Sequence, residues 1–267
     1  MFVGLNHEKG MDAEGHDRDS FRLPQEQIDL IEKTRNENSN IVLIMISGSP
    51  VSMIEWINNV PTVLQAWYGG MEAGNTISAI LFGDVIPSGK LPITFPKQLS
   101  DSPAHVSERT YPGSKDVFYD EGVFVGYRHF DIRNIEPLFP FGHGLSYTKF
   151  TYENLQLSKK IITKDEILVV SVDIFNSGVY KGAEIVQLYI QDIESSVERP
   201  HKELKGFKKK FLKPMERATV KFVICKDDLS FFNENLGKWT TEEGEFSILV
   251  GGSSRDIRLQ DKLTYLS

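Results

Sequence analysis

The sequence predicts an α/β domain followed by an all-β domain. Three observations predict it. Strand-like and helix-like stretches alternate over residues 1–96. Residues 97–148 show no clear period. Short alternating strands separated by turns fill residues 149–267.

Taken in order, Phe2-Val3-Gly4-Leu5 reads as a buried strand with nothing before it. A domain rarely opens in mid-strand, so we expect a fragment, natural or from a gene model lacking its 5′ part. Leu23 to Ile31 starts a helix: Pro24 sits where a helix tolerates proline, and Ile28 and Ile31 fall at helical spacing. Ile41 to Ile46 is a continuous apolar run, the pattern of a parallel strand covered on both faces, and Ser47-Gly48-Ser49-Pro50 breaks it. Pro61 to Tyr68 reads as the next strand, ended by Gly69-Gly70. Asn75 to Phe82 reads as a helix closed by Gly83-Asp84, with Gly74 and Asn75 favoured as a simple cap over an anion site. From Pro87 to Thr148 proline, glycine and aromatic clusters recur; residues 97–148 are expected to form an extended connector, and loops of that length are often functional. Beyond it, Leu168–Phe175, Ala183–Ile190, Thr219–Ile224 and Gly244–Gly251 read as strands of a β-sandwich, with a turn at Asn176-Ser177-Gly178.

Composition narrows the function classes. Hydrophobic residues are 40% and charged residues 25%, which argues against overall disorder. A net charge of −7 argues against a general nucleic-acid binder. Cys225 is the one cysteine, so no internal disulfide can form. That scarcity, the lack of an Asn-x-Ser/Thr acceptor and the early polarity of MFVGLNHEKG lead us to expect a cytoplasmic protein. No run approaches the ~20 apolar residues of a membrane span, so no membrane partner is expected. The six histidines, at 7, 16, 105, 129, 143 and 201, show no metal-ligand spacing, and no phosphate-cradling glycine motif occurs. We therefore expect no metal and no cofactor. Oligomer formation stays open.

Five blocks carry a resemblance. The first is Val3-Gly4-Leu5-Asn6 with Glu14-Gly15-His16-Asp17-Arg18 and Leu23-Pro24. The second is Ser47 to Val51 with Ala66-Trp67-Tyr68-Gly69-Gly70-Met71-Glu72-Ala73-Gly74-Asn75. The third runs from Leu81-Phe82-Gly83-Asp84-Val85 through Pro87-Ser88-Gly89-Lys90-Leu91-Pro92 to Phe95-Pro96. The fourth is Gly126-Tyr127-Arg128 with Pro137 to Tyr147, and the fifth is Gly182 to Tyr189 with Arg199-Pro200 and Glu203 to Phe207. In this order and over nearly the whole chain, they resemble glycoside hydrolase family 3, most closely its β-glucosidases of fungal type. The resemblance implies the C-terminal portion of an α/β-sandwich domain followed by a fibronectin type III-like domain. It also implies a retaining hydrolase that removes terminal β-D-glucosyl residues from a β-glucoside or cello-oligosaccharide. The family's (β/α)₈-type barrel, which holds the nucleophilic aspartate and most sugar-binding residues, has no counterpart here. We therefore expect the isolated chain to be catalytically incomplete and to rely on a barrel in cis. Met215 stands where the family tends to place glycine.

A retaining glycosidase needs two carboxyl groups about 5 Å apart, one attacking the anomeric carbon and one acting as acid and then base. Glu14 follows the first strand by a short polar loop and matches the family motif, so the resemblance makes it the acid/base. Glu8 and Asp12 are its rivals. An acid of this kind is expected near burial or negative charge, with Arg18 turned away. Asp17 and Arg18 are expected to pair and shape the loop. Trp56, Trp67, Tyr68 and Trp239 are each expected in the core rather than stacked on sugar, and His143 in a structural turn. Arg199 to Arg217 holds eight Lys/Arg and two Asp/Glu; a solvated strand face is favoured there over an acidic partner. Another exo-β-glycosidase such as a β-xylosidase, a non-catalytic carbohydrate-binding or scaffold module, and an interaction adaptor are the competing readings.

Overall fold

The computed structural model describes residues 1–267. They divide into two compact units, one of residues 1–85, 95–120 and 136–139, the other of 86–94, 121–135 and 140–267. The stretch read as one connector thus shares its residues between both units.

The first unit is built on a three-stranded sheet. Strand β1 spans Phe2–Gly4, helix α1 Gln25–Glu37, strand β2 Val42–Ile46, strand β3 Thr62–Gln65 and helix α2 Ala73–Leu81. The sheet order is β1-β2-β3, and both pairings are parallel. The continuous apolar run of β2 has its cause in this order: a central strand is covered on both faces, and Leu43, Ile44 and Met45 are all buried. Helix α1 turns Ile28 and Ile31 into the core, with Pro24 at its N-cap, where no intrahelical N–H is needed. The α2 helix begins at Ala73, two residues before the expected start, and its N-cap is Glu72. Asn75 is therefore no cap: its side-chain amide donates to the Glu72 carboxylate at 2.7 Å.

Gly4 is dictated by the sheet. Its φ is +154°, and a Cβ there would stand 1.8 Å from the Ile46 carbonyl oxygen. On the outer edge of β1 the Gln27 side chain closes both backbone groups of Gly4, accepting from its N–H at 2.7 Å and donating to its carbonyl at 2.9 Å. An edge that would otherwise offer free hydrogen-bonding groups is thereby satisfied.

In the second unit, helix α3 spans Tyr127–Ile132 and precedes a β-sandwich. Its strands are β4 Phe150–Leu157, β5 Ile161–Ile162, β6 Leu168–Asn176, β7 Gly182–Asp192, β8 Glu203–Leu212 and β9 Arg217–Ile224. After a short helix α4, Lys226–Leu229, come β10 Phe231–Asn233, β11 Lys238–Thr240, β12 Gly244–Gly251 and β13 Ile257–Tyr265. Two main sheets form, β5-β13-β12-β7-β8 and β4-β6-β9, with β10 and β11 as a separate hairpin. Strand β6 alternates strictly, and Leu168, Val170, Val172 and Ile174 are fully buried against Val186, Leu188, Ile248, Val250 and Leu263. Strand β7 is buried on both faces, because Tyr127 and Phe141 cover its outer side: Tyr189 meets the Tyr127 ring edge-on at 5.8 Å, and Gln187 donates to the Gly142 and Gly252 carbonyls.

The basic stretch is only partly the solvated face expected. Lys208, Lys209 and Lys210 on β8 are exposed. Arg199, by contrast, is nearly buried, bridging Asp192 at 2.9 Å and Glu203 at 2.8 Å and donating to the Leu229 carbonyl. Lys202 is bound to Asp131, which also receives Arg255 at 3.0 Å. Burial pushes the Asp192 carboxyl up. Burial acts in the same direction on Glu203, but Lys205, Arg199 and Arg128 outweigh it and hold that carboxyl below its usual value.

Candidate active site

Residues 6–20 leave the end of β1 as a loop, and polar bonds rather than apolar burial give it shape. The Asn6 side-chain oxygen accepts from the Glu8 N–H at 2.8 Å, the Asn6 carbonyl from the Asp12 N–H at 3.0 Å, and the Gly10 carbonyl from the Asp19 N–H at 3.2 Å. Gly10 and Gly15 take positive φ, at +86° and +75°, where the chain reverses.

Asp12 anchors the loop. Its carboxylate accepts from the Gly48 N–H at 2.7 Å, from the Ser49 hydroxyl at 3.2 Å and from the Tyr68 hydroxyl at 2.8 Å, and Arg18 stands at 4.0 Å. The side chain retains 11% exposure. Gly48 makes this possible: a Cβ there would lie 2.9 Å from the Tyr68 ring. Tyr68 also meets the His7 ring at 5.0 Å. Burial first, and then the Asp12 carboxylate, push the Tyr68 phenol up. Arg18 donates to the Pro50 carbonyl at 2.6 Å and lies over the Phe21 ring.

Several expectations change here. Asp17 and Arg18 do not pair: Asp17 accepts from the Tyr111 hydroxyl, while Arg18 serves Asp12 and Pro50. Asp12, expected as a rival acid, is a carboxylate whose oxygens are engaged inside the protein. Glu14 and Glu8 are both exposed, so the burial expected around an acid is not supplied by this chain's own residues. Tyr68 and Trp239 are exposed, at 42% and 69%, not core; Trp56 is core; Trp67 is half-buried, edge-on to Phe95. Two cavities, of about 400 and 550 Å³, lie in the second unit, and neither is lined by Glu14. No group of three His, Cys, Asp or Glu side chains is placed to hold a metal, and no helix is long and apolar enough to cross a membrane.

Comparison with known proteins gives this geometry its context. Residues 1–127 match the model of the glycosyl hydrolase family 3 C-terminal domain, and residues 184–254 match a fibronectin type III-like domain. The chain is 48% identical over 264 residues to the thermostable β-glucosidase B of Acetivibrio thermocellus, covering 98% of this chain and 34% of that protein. The chain belongs to glycoside hydrolase family 3. A β-glucosidase of Bacteroides ovatus is 44% identical to this family 3 chain, with 97% and 35% covered. The crystal structure of a Bifidobacterium adolescentis family 3 β-glucosidase superposes with a TM-score of 0.92 at 36% identity, covering 99% of this chain and 38% of that one. That of the Kluyveromyces marxianus β-glucosidase in complex with glucose superposes at 0.90 with 40% identity, covering 100% and 31%. The family 3 chain thus spans about a third of the length of the relatives it matches.

Within the family 3 chain the resemblance motif now has a physical shape. Its Val-Gly-Leu-Asn block is β1 and its exit, its Glu-Gly-His-Asp-Arg block is the exposed reversal after Asp12, and its Ser-Gly-Ser-Pro block is the turn that receives Asp12. Three residues acquire roles that sequence reasoning missed: Gln27, which clamps Gly4; Asp12, which anchors the loop; and Tyr68, which completes the anchor. The Ser-Gly-Ser spacing after an apolar strand was the available signal for a turn receiving a carboxylate.

Proposed function

We propose that this family 3 chain supplies the acid/base carboxylate, Glu14, of a retaining β-glucosidase. The substrate is a β-glucoside or cello-oligosaccharide carrying a terminal β-D-glucosyl residue, and the nucleophilic aspartate comes from a barrel domain of the family's kind. One observation carries the reading: Glu14 is exposed on a loop fixed at both the strand exit and Asp12, so a carboxylate is held outward by a rigid base. The β-glucosidases among the relatives support the substrate class.

Glu14 donates its proton to the glycosidic oxygen as the C–O bond breaks and the nucleophile bonds to the anomeric carbon. The resulting carboxylate then takes a proton from the water that displaces the nucleophile, which regenerates the acid. The test uses the chain joined to its barrel domain. Glu14→Ala should lower kcat/KM for an aryl β-glucoside with a poor leaving group by roughly 10²-fold or more, while sparing kcat/KM for a strongly activated one, whose kcat falls because the second step has lost its base. Added azide should restore turnover of the activated substrate by attacking where water needs a base. Unchanged rates on both substrates would remove Glu14 from the chemistry.

A further inference from the structure

We propose that Asp12 is a positioning residue for Glu14, acting through the loop they share. The inference rests on the acid/base reading of Glu14. Asp12 lies two residues before Glu14. It ties the loop to segments 36, 37 and 56 residues away through Gly48, Ser49 and Tyr68. Its own N–H and carbonyl are also engaged, by the Asn6 carbonyl at 3.0 Å and the His7 Nδ1 at 3.1 Å, so backbone and side chain are fixed together. Nearly every polar atom of one residue is therefore spent on holding residues 6–20 in place. Glu14 itself makes no contact that would orient it, being exposed in the turn before Gly15. Proton transfer to a glycosidic oxygen requires hydrogen-bond reach, and a displacement of about 1 Å at a catalytic group costs on the order of 10²-fold in rate. The geometry gives Asp12 the task of preventing that displacement. A generic loop anchor would serve stability alone; this one stands two residues before the acid and closes on three separate groups.

The experiment measures kcat and KM on a poor and a strongly activated aryl β-glucoside, using the chain joined to its barrel domain. Variants are Asp12→Asn, Tyr68→Phe, Glu14→Ala and the Asp12→Asn/Glu14→Ala pair, with thermal midpoints recorded alongside. Asp12→Asn should lower kcat/KM for the poor leaving group by about tenfold or more, with kcat/KM for the activated substrate changed far less. Tyr68→Phe, which removes one donor and keeps the carboxylate, should show the same selectivity at smaller size, and it decides the matter if Asp12→Asn fails to fold. In the Glu14→Ala background, Asp12→Asn should add nothing on the poor substrate. Equal losses of kcat/KM on both substrates, or a further loss in the Glu14→Ala background, would overturn the positioning role. If Glu14→Ala alone shows no dependence on leaving group, the acid/base reading has failed and the Asp12 role falls with it. That failure is visible in a different variant.

Discussion

The loop of residues 6–20 and the core of the β-sandwich are held by opposite means. In the sandwich, Val172, Val186, Leu188, Ile248 and Leu263 are fully buried, and their stabilisation is the non-directional removal of apolar surface from water. In the loop, Asn6, Asp12, Arg18 and Asp17 make directional bonds, and the loop's polar residues are largely exposed. Apolar packing would have drawn a loop carboxylate inward, where ionisation is costly. A polar tether fixes the backbone and leaves Glu14 at the surface. The difference teaches that the candidate chemistry sits where the chain is stabilised by geometry rather than by burial, and that such a site can be displaced without unfolding.

The largest expected effect breaks the comparison at the level of activity. On the proposed reading of Glu14, the 267-residue chain alone should hydrolyse no aryl β-glucoside, because an acid separated from a nucleophile and a sugar pocket loses covalent catalysis and positioning together. Turnover by the purified chain above the rate of its Glu14→Ala variant would mean that the chain holds a second carboxylate in reach, against the present reading.

A pair of substitutions sharpens it at the level of stability. Leu188→Ala removes a fully buried side chain from the sandwich and should cost about 2–5 kcal/mol in denaturant unfolding. The first unit instead exposes Met71 at 99%, Phe82 at 82% and Phe2 at 60%. Phe82→Ser should therefore change stability by no more than about 0.5 kcal/mol, while lowering the tendency of the isolated chain to associate. A large loss from Phe82→Ser in light scattering-controlled unfolding would show that this face is packed.

Much of this was legible in the sequence, for reasons that differ by element. The alternation of β6 announced one buried face, and the unbroken run of β2 announced two, because a central strand has no wet side. Strand β7 was legible as a strand, but its burial on both faces was not, because Tyr127 meets its outer side from outside the strand pattern and leaves no period to detect. The start of α2 was displaced because Asn75 resembles a cap, while its amide is taken by Glu72. The loop after β1 was legible as a short polar stretch following an apolar one. The roles of Asp12, Gln27 and Tyr68 were not found, because each depends on partners 23 to 56 residues away. Local spacing carries no information about such closures. The same reason hid the division of Arg199–Arg217 into an exposed lysine face and a buried Arg199 bridge.

That bridge gives a pH-dependent test. Glu203 is held below its usual value, against its burial, by Lys205 and Arg199. A carboxylate whose folded pKa lies below the unfolded value of about 4.3 contributes stability above that pH and loses it as pH falls through the folded value. Glu203→Gln should therefore destabilise the sandwich at neutral pH, and the gap from wild type should narrow below about pH 4.3. Asp192 is shifted upward by burial and follows the opposite trend; because it shares Arg199 with Glu203, the comparison is made in an Asp192→Asn background. Urea midpoints that stay equally far apart down to about pH 3 would show that Glu203 acts by packing rather than charge.

The smallest effect is expected at the turn between β8 and β9. Met215 has φ +59° and is 69% exposed, following Pro214 in the reversal from Lys213 to Glu216. Its N–H donates to the Asn176 carbonyl at 2.9 Å, and the Glu216 N–H donates to the Lys213 carbonyl at 3.1 Å, so the left-handed conformation is fixed by the turn and not chosen by methionine. An L-residue with a side chain pays about 1–2 kcal/mol for that region. Glycine avoids this but gives the unfolded chain more freedom, worth about 0.4–1 kcal/mol. The difference predicts that Met215→Gly stabilises the sandwich by about 0.5–1 kcal/mol, a thermal midpoint rise of a few degrees. Met215→Ala keeps the left-handed cost and removes only exposed surface, so it should leave the midpoint nearly unchanged. If alanine stabilises as much as glycine, the backbone conformation is not what limits this turn. The polar closures around Asn176 would then carry it, as the closures around Asp12 carry the loop of residues 6–20.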